Sequence, residues 1–231
     1  MSVSKLFWSR RVRIFDLDGT LIHTLPDLAG ALNQALRELG FRPVPETLVR
    51  ASLHGGLEGS VAAAGTYLRL PAEVQGPLLM RYRRHYAAGL ALRSSVFDGV
   101  PEMLAQLSAR REPLAVCTNK TQREAEELLA AFGLRQHFTV VVGADTCAER
   151  KPHPMPLRHA VARLGGKLGE ALFVGDSAVD AACARAAGTA HIWFARGYGA
   201  PPEGCAWRFE SYRELLRSGF GVGLPAYAEA C

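Results

Sequence analysis

The sequence predicts an α/β protein with a doubly wound parallel sheet and an all-helical block inserted after the first strand. A first buried strand is expected at Val12–Phe15, where β-branched and aromatic residues precede a turn. From residue 97 onwards, strand-like and helical segments alternate, which is typical of parallel sheets covered on both faces. Between Thr24 and Val96 the apolar residues have helical spacing and no strand-like alternation, which indicates the insert.

Start and stop signals place the individual elements. Pro26 and Asp27 fit the first turn of a helix whose leucines recur at helical spacing, and Gly40 ends it. The other expected helices are at 46–52, 57–70, 71–89, 101–110, 124–132, 155–164 and 179–187, and the other expected strands are at 114–118, 138–142, 171–174 and 190–194. This order predicts a core of residues 1–22 and 97–231 and a helical domain of residues 23–96.

Composition narrows the class of protein. The chain has 231 residues, a formal net charge of +5 and five cysteines. Its arginines are scattered without a dense basic run, and the cluster Arg81–His85 suits a solvated helix face, so nucleic acid is not an expected partner. A modest positive charge suits an enzyme that attracts phosphorylated anions.

Cysteine use and hydropathy predict the compartment. The odd number of cysteines and the lack of a Cys-x-x-Cys pair argue against disulfides and a zinc site and favour a reducing compartment. Residues 1–11 do not resemble a secretory signal, and no apolar stretch approaches the roughly 20 residues that span a bilayer. We therefore expect a cytoplasmic protein without a membrane partner, as a monomer or homodimer.

Two acids follow the first predicted strand, in the segment Asp16-Leu17-Asp18-Gly19. The carboxyl end of a strand is where open parallel sheets bind ligands. Two adjacent carboxylates repel, so they need a cation or a proton, and they suit a nucleophile beside a proton carrier. Alternatively they are ordinary turn acids, since Asp and Gly are common in turns.

Four segments resemble the signatures of the haloacid dehalogenase superfamily of phosphohydrolases, in the expected order. They are Asp16–Thr20, Val116–Lys120, Lys151–Pro154 and Val174–Asp180. The resemblance implies a Rossmann-like core with a helical cap inserted after the first strand, and a cap that closes over the site excludes water during chemistry.

The resemblance implies a role for each motif residue. Asp16 resembles the nucleophile that forms an aspartyl-phosphate, and Asp18 resembles the general acid/base. The founding dehalogenases lack a carboxylate at the position of Asp18, which favours phosphoryl transfer over dehalogenation. Thr118 and Lys151 are similar to the residues that bind the phosphate oxygens and offset their charge. Asn119 and Lys120 resemble supporting substrate-side residues.

The same resemblance implies a metal site with oxygen ligands. Asp176 is similar to a metal ligand alongside Asp16 and the backbone carbonyl of Asp18. Asp180 resembles the later acid of the Val174–Asp180 motif, which supports the metal ligands or the lysine without binding the metal itself. Mg²⁺ is the expected ion, because all ligands are oxygens and the substrate brings a phosphate.

The substrate is less determined than the chemistry. Within the superfamily the chain resembles bacterial phosphoglycolate phosphatases, through the start of the insert, the Thr118 and Lys151 motifs and Gly197-Tyr198-Gly199. The cap turn of His54 and Gly55 then lies near the substrate, although His54 equally suits a solvated helix end. We expect hydrolysis of a small phosphomonoester, 2-phosphoglycolate first.

Other functions stay open at this point. They are a phosphatase or pyrophosphatase with another substrate, a sugar phosphomutase like β-phosphoglucomutase, and a binding protein on this fold. Two residues also depart from the expected pattern. His23 stands where many relatives have Asp, near the entry to the cap. Arg13 interrupts the apolar first strand, where an edge position or a loop partner would accommodate it.

Overall fold

A computed structural model describes residues 2–205 and 207–217 of the chain. The strands are β1 Val12–Phe15, β2 Ile22–His23, β3 Ser95–Val96, β4 Leu114–Cys117, β5 Val140–Val142, β6 Ala171–Gly175, β7 Ala190–Phe194 and β8 Arg208–Phe209. The helices are α1 Val3–Ser9, α2 Leu25–Glu38, α3 Glu46–Ser52, α4 Gly56–Leu68, α5 Ala72–Ala88, α6 Val100–Ala109, α7 Gln122–Ala131, α8 Met155–Arg163, α9 Ala178–Ala187 and α10 Tyr212–Arg217. Residues 218–231, which the predicted core includes, lie outside the described part.

The six-stranded sheet has the order β5-β4-β1-β6-β7-β8, and every pair in it is parallel. This confirms the predicted doubly wound core. Strand β1 lies in the middle, between β4 and β6, so the ends of these three strands meet at one edge. That edge carries the Asp16, Thr118 and Asp176 motifs, because each motif directly follows its strand.

Apolar side chains cover both faces of the sheet. One cluster packs α6, α7 and α10 on one face, with Phe15, Leu104 and Leu128 fully buried. A second packs α8 and α9 on the other face, around Ile14 and Phe173. Burial on both faces explains why these strands read as continuous apolar runs rather than as alternating ones.

Helices α2 to α5 form the insert, with an apolar cluster of their own around Leu32, Val49 and Tyr82. The chain enters and leaves the insert through a two-stranded antiparallel ribbon, in which Ile22 pairs with Val96. Helix α5 contains Pro77 in its first turns and still runs to Ala88.

The edge position considered for Arg13 is wrong, because Arg13 lies on the central strand and is completely buried. Its Nε donates to the carbonyl of Phe7 at 3.0 Å, its guanidinium pairs with Glu112, and it lies over the ring of Phe7. Burial lowers the pKa of Arg13 to about 9. The arginine is thus held by helix α1 and by a loop acid, which sequence reasoning from strand β1 alone does not reveal.

Among the described residues, no helix combines the length and the apolar character needed to cross a lipid bilayer.

Candidate active site

A cavity of about 1050 Å³ lies between the carboxyl edge of the sheet and the helical insert. The core contributes the predicted motif residues to its lining, and they are Asp16, Asp18, Thr118, Asn119, Lys120, Lys151 and Asp176. The insert contributes Arg50, Leu53, Gly56, Arg83 and Tyr86, among others. Residues that are far apart in the sequence therefore meet at one cavity.

Lys151 joins two carboxylates at the floor of the cavity. Its Nζ lies 2.8 Å from Asp16 Oδ1 and 2.6 Å from Asp180 Oδ1, and its side chain is 3% exposed. Burial raises the pKa of the Asp16 carboxyl, and the Lys151 cation opposes this shift. Burial lowers the pKa of Lys151, but the two carboxylates raise it well above its ordinary value on balance. Because Lys151 is buried among acids, it stays a cation at neutral pH.

Asp180 is held by the start of helix α9. Its Oδ2 accepts hydrogen bonds from the backbone N–H of Ser177 at 3.1 Å and from the Ser177 hydroxyl at 2.5 Å. The Ser177 hydroxyl in turn accepts from the Asp180 N–H, which completes a capping box. This arrangement leaves the other Asp180 oxygen for Lys151.

Asp176 follows β6 and is 2% exposed. Its Oδ1 accepts from the Thr20 hydroxyl at 3.1 Å and its Oδ2 from the Tyr198 N–H at 2.6 Å. Burial, with a contribution from the Asp180 charge, raises the pKa of Asp176 to about 7. A side chain at Gly19 would place its Cβ 2.5 Å from Asp176 Oδ2, and Gly19 also has a φ of +83°. The glycine after Asp18 is therefore required for two reasons.

Carboxylate oxygens of Asp16, Asp176 and Asp180 lie within 4.8 Å of one another. These oxygens suit a hard divalent cation, and burial of several acids together makes such a cation favourable. The residues therefore fit the expected metal. The Asp18 carboxylate points elsewhere, since its Oδ1 accepts from the Thr24 hydroxyl at 2.6 Å and its Oδ2 lies 3.3 Å from Lys120 Nζ. The family resemblance implies that Asp18 contributes its backbone carbonyl, not its carboxylate, to a metal site.

The Thr118 loop follows β4 beside these groups. Thr118 is 3% exposed, and its hydroxyl accepts from the Lys120 N–H at 3.2 Å. Asn119 Nδ2 donates to the Lys151 carbonyl at 3.0 Å, so Asn119 braces the backbone of Lys151. The side chain of Lys120 is 5% exposed, and its Nζ donates to the Tyr86 hydroxyl of the insert at 2.8 Å.

The predicted cap turn is the short 3₁₀ segment Leu53–Gly55 at the cavity margin. Its neighbours Leu53 and Gly56 line the cavity. The side chain of His54 lies outside the described part of the structure. Contacts of His54 and Gly55 with a substrate therefore stay a prediction.

Sequence reasoning did not assign roles to three residues at this cavity, namely Arg50, Tyr86 and Tyr198. The Tyr198 hydroxyl accepts from the N–H groups of Thr24 and Leu25, at 2.7 and 2.9 Å, and lies 3.2 Å from His23 Nδ1. It thereby joins the entry to the insert to the Asp176 loop, and His23 takes part in that contact. The Gly-Tyr-Gly segment was the only signal in the sequence for this role.

Arg50 comes from helix α3 of the insert. Its guanidinium lies 5.6 Å from the Tyr198 ring centre, and its Nη1 lies 3.5 Å from the Gly197 carbonyl. The insert thus brings a cation to the lining of the cavity.

Comparisons with known proteins identify the family of the chain. Residues 13–194 match the model of the haloacid dehalogenase-like hydrolase family. The chain is 42% identical over 192 residues to a phosphoglycolate phosphatase of Chromobacterium violaceum, covering 80% of this chain and 84% of that one. It is 37% identical to a phosphoglycolate phosphatase of Rhodospirillum rubrum, covering 92% and 90%. A solved structure described as a predicted phosphoglycolate phosphatase from Haemophilus somnus superposes with a TM-score of 0.85 at 29% identity, covering 91% and 98%.

Proposed function

Because the chain belongs to the haloacid dehalogenase-like hydrolase family and is a phosphoric monoester hydrolase, we propose that it hydrolyses 2-phosphoglycolate to glycolate and phosphate with Mg²⁺. The observation that carries the proposal is the buried Asp16–Lys151 pair, which faces the same cavity as Asp18 and Asp176. The Asp16 carboxylate attacks phosphorus in its ionised form, which the Lys151 cation favours, and the same lysine offsets charge on the phosphoryl oxygens.

The first step forms a bond between an Asp16 oxygen and phosphorus and breaks the bond from phosphorus to the substrate oxygen. The electron pair of the broken bond stays on the leaving oxygen, which takes the proton of Asp18. In the second step Asp18 removes a proton from water, whose oxygen attacks phosphorus and releases the Asp16 carboxylate and inorganic phosphate. The Thr118 hydroxyl and neighbouring N–H groups hold the phosphoryl oxygens.

Asp16 and Asp176, with the Asp18 carbonyl, would hold Mg²⁺, and Asp180 would support this set through Lys151. When bound, Mg²⁺ supplies positive charge that offsets the phosphate dianion and the clustered acids. The exposed Arg50 and the buried Lys120 supply cations for the carboxylate end of the substrate. Helices α2 to α5 serve as a cap, since they form one wall of the cavity and enclose an apolar cluster of their own.

The test is release of phosphate from 2-phosphoglycolate, sugar phosphates, nucleotides and pyrophosphate, with Mg²⁺ or with chelator. The panel is broad because a cavity of about 1050 Å³ also admits larger phosphate esters. We expect the highest kcat/KM with 2-phosphoglycolate and no turnover with chelator. Asp16→Asn, which keeps the side-chain shape but removes the nucleophile, serves as the inactive control.

Three outcomes decide among the functions considered. Mg²⁺-dependent turnover of another compound in preference to 2-phosphoglycolate would overturn the substrate and keep the mechanism. Transfer of phosphate between sugar hydroxyls without release would favour a mutase. A folded parent protein that is indistinguishable from Asp16→Asn in every assay would favour a binding protein.

A further inference from the structure

The insert contacts the proposed acid/base residue through one buried lysine. Lys120 Nζ donates to the hydroxyl of Tyr86 on helix α5 at 2.8 Å and lies 3.3 Å from Asp18 Oδ2. It also lies 4.4 Å from the centre of the Tyr86 ring. Tyr86 is 1% exposed. One core cation is therefore fixed between a carboxylate of the core and a phenol of the insert.

Lys120 is a cation and Tyr86 is a neutral phenol in this contact. Burial raises the pKa of Tyr86 to about 12, although the Lys120 cation opposes the shift, so the phenol is neutral. Burial lowers the pKa of Lys120, but the Asp18 carboxylate and Tyr86 raise it on balance. The ammonium has three N–H donors, and the Tyr86 oxygen accepts one of them. This fixes the direction in which the remaining donors face Asp18 and the cavity.

We propose that Tyr86 is a positioning residue, which holds Lys120 beside Asp18 and so makes the proton transfer of Asp18 depend on the insert. This inference rests on the proposed function, in which Asp18 protonates the leaving oxygen. Tyr86 itself has no contact with Asp16 or Lys151 among the hydrogen bonds and ion pairs of the described residues. Its proposed effect on the reaction passes through Lys120. Because Tyr86 also lines the cavity, a double-mutant cycle separates this route from a direct contact with substrate.

This role has a consequence that a purely structural role lacks. An alkyl phosphate leaves as an alkoxide and needs the proton of Asp18, whereas para-nitrophenyl phosphate leaves as a stable phenolate and needs it little. The value of kcat/KM includes this first step, in which the leaving group departs. Misplacement of Lys120 should therefore slow the alkyl ester more than the aryl ester.

The experiment compares Tyr86→Phe with Tyr82→Phe, using ethyl phosphate and para-nitrophenyl phosphate. Neither ester has a carboxylate, so a contact between Lys120 and a substrate carboxylate cannot contribute to the difference. Tyr82 lies one turn earlier on α5 and is 0% exposed, and no hydrogen bond joins its hydroxyl to the described residues of the site. Each variant loses one buried hydroxyl from the same helix. We expect Tyr86→Phe to lower kcat/KM about tenfold for the alkyl ester and less than about twofold for the aryl ester, as loss of part of an acid/base contribution predicts.

The control Tyr82→Phe should leave both values near those of the parent, and melting temperatures of both variants check the fold. An equal loss with both esters in Tyr86→Phe, or no loss with either, would overturn the inference. A parent protein that releases no phosphate from any ester would overturn the proposed function. A parent that does release phosphate, with a Tyr86→Phe variant that shows no difference between the esters, would overturn only the inference about Tyr86.

A double-mutant cycle with Lys120→Met tests the path of the effect. If Tyr86 acts through Lys120, the tenfold effect of Tyr86→Phe should nearly vanish once Lys120 is replaced. Independent, multiplicative losses in the double variant would mean that Tyr86 acts by another route and would overturn the assignment.

Discussion

The charged residues on the two sides of the cavity differ in burial. We call the side formed by the strand-end motifs the core wall and the side formed by helices α3 to α5 the insert wall. On the core wall, Lys151 and the two carboxylates that it joins are each no more than 10% exposed at the side chain. On the insert wall, the ion pair of Arg83 with Glu58 is 56% and 50% exposed. Charges of the first kind are costly to separate, whereas those of the second kind are screened by water and salt.

From this difference we expect the core wall to carry out the chemistry at phosphorus and the insert wall to select the substrate. A buried group that contacts several partners is held in one geometry. Attack of a nucleophile on phosphorus requires such fixed positions. Exposed arginines on the insert can be replaced with little cost to folding, so this wall is suited to determine which ester binds. The following predictions test that division, starting with the core wall.

Lys151→Met should have the largest effect. It leaves Asp16 and Asp180 buried together without their cation, which we expect to cost about 3 kcal/mol in the free energy of unfolding. The loss of charge stabilisation at the phosphoryl group should lower kcat by about a hundred- to a thousandfold. Denaturant unfolding and steady-state kinetics measure the two effects.

Lys167→Met is the matched control, because Lys167 is exposed and lies outside the cavity lining. It should change neither quantity appreciably. If Lys151→Met retained kcat within about threefold of the parent, the buried Lys151 cation would not stabilise charge at the phosphoryl group.

Arg50→Ala should have a smaller and more selective effect. Loss of one charge-assisted contact to the substrate carboxylate should raise KM for 2-phosphoglycolate by about tenfold, equivalent to about 1.4 kcal/mol. The variant should leave kcat almost unchanged, and KM for ethyl phosphate, which has no carboxylate, should not rise. Steady-state kinetics with both esters measures this split.

Arg42→Ala is the control for that experiment, because Arg42 is also an exposed arginine of the insert but lies over Tyr67, away from the cavity lining. A similar rise of KM with both esters in Arg50→Ala would indicate that Arg50 contacts the phosphate, and would contradict the proposed contact of Arg50 with the substrate carboxylate.

Arg83→Ala should have the smallest effect on folding. Its ion pair with Glu58 joins two half-exposed side chains, so the free energy of unfolding should change by less than about 0.5 kcal/mol. Urea unfolding at low and high salt measures the change. A loss of several kcal/mol would show that the insert depends on this pair and would remove the contrast with the core wall.

The order of elements was largely predictable because strand and helix signals alternate along the core. The predicted strands at 114–118, 171–174 and 190–194 agree with β4, β6 and β7 to within one residue at each end. Helices α1 and α10 and strands β2, β3 and β8 were not predicted, and β3 lies within the block that was expected to be all-helical. Strand β8 has only two residues, Arg208–Phe209, so no periodic pattern can mark it.

The four motifs and their positions after strands were readable from the sequence, and parallel strands then bring these motifs to one edge of the sheet. Which groups touch across that edge depends on tertiary packing. Tyr198 meets Thr24 across 174 positions, and Tyr86 meets Lys120 across 34. Such partners have no fixed spacing, since the packing of the insert against the core sets them, and no local pattern in the chain encodes that packing.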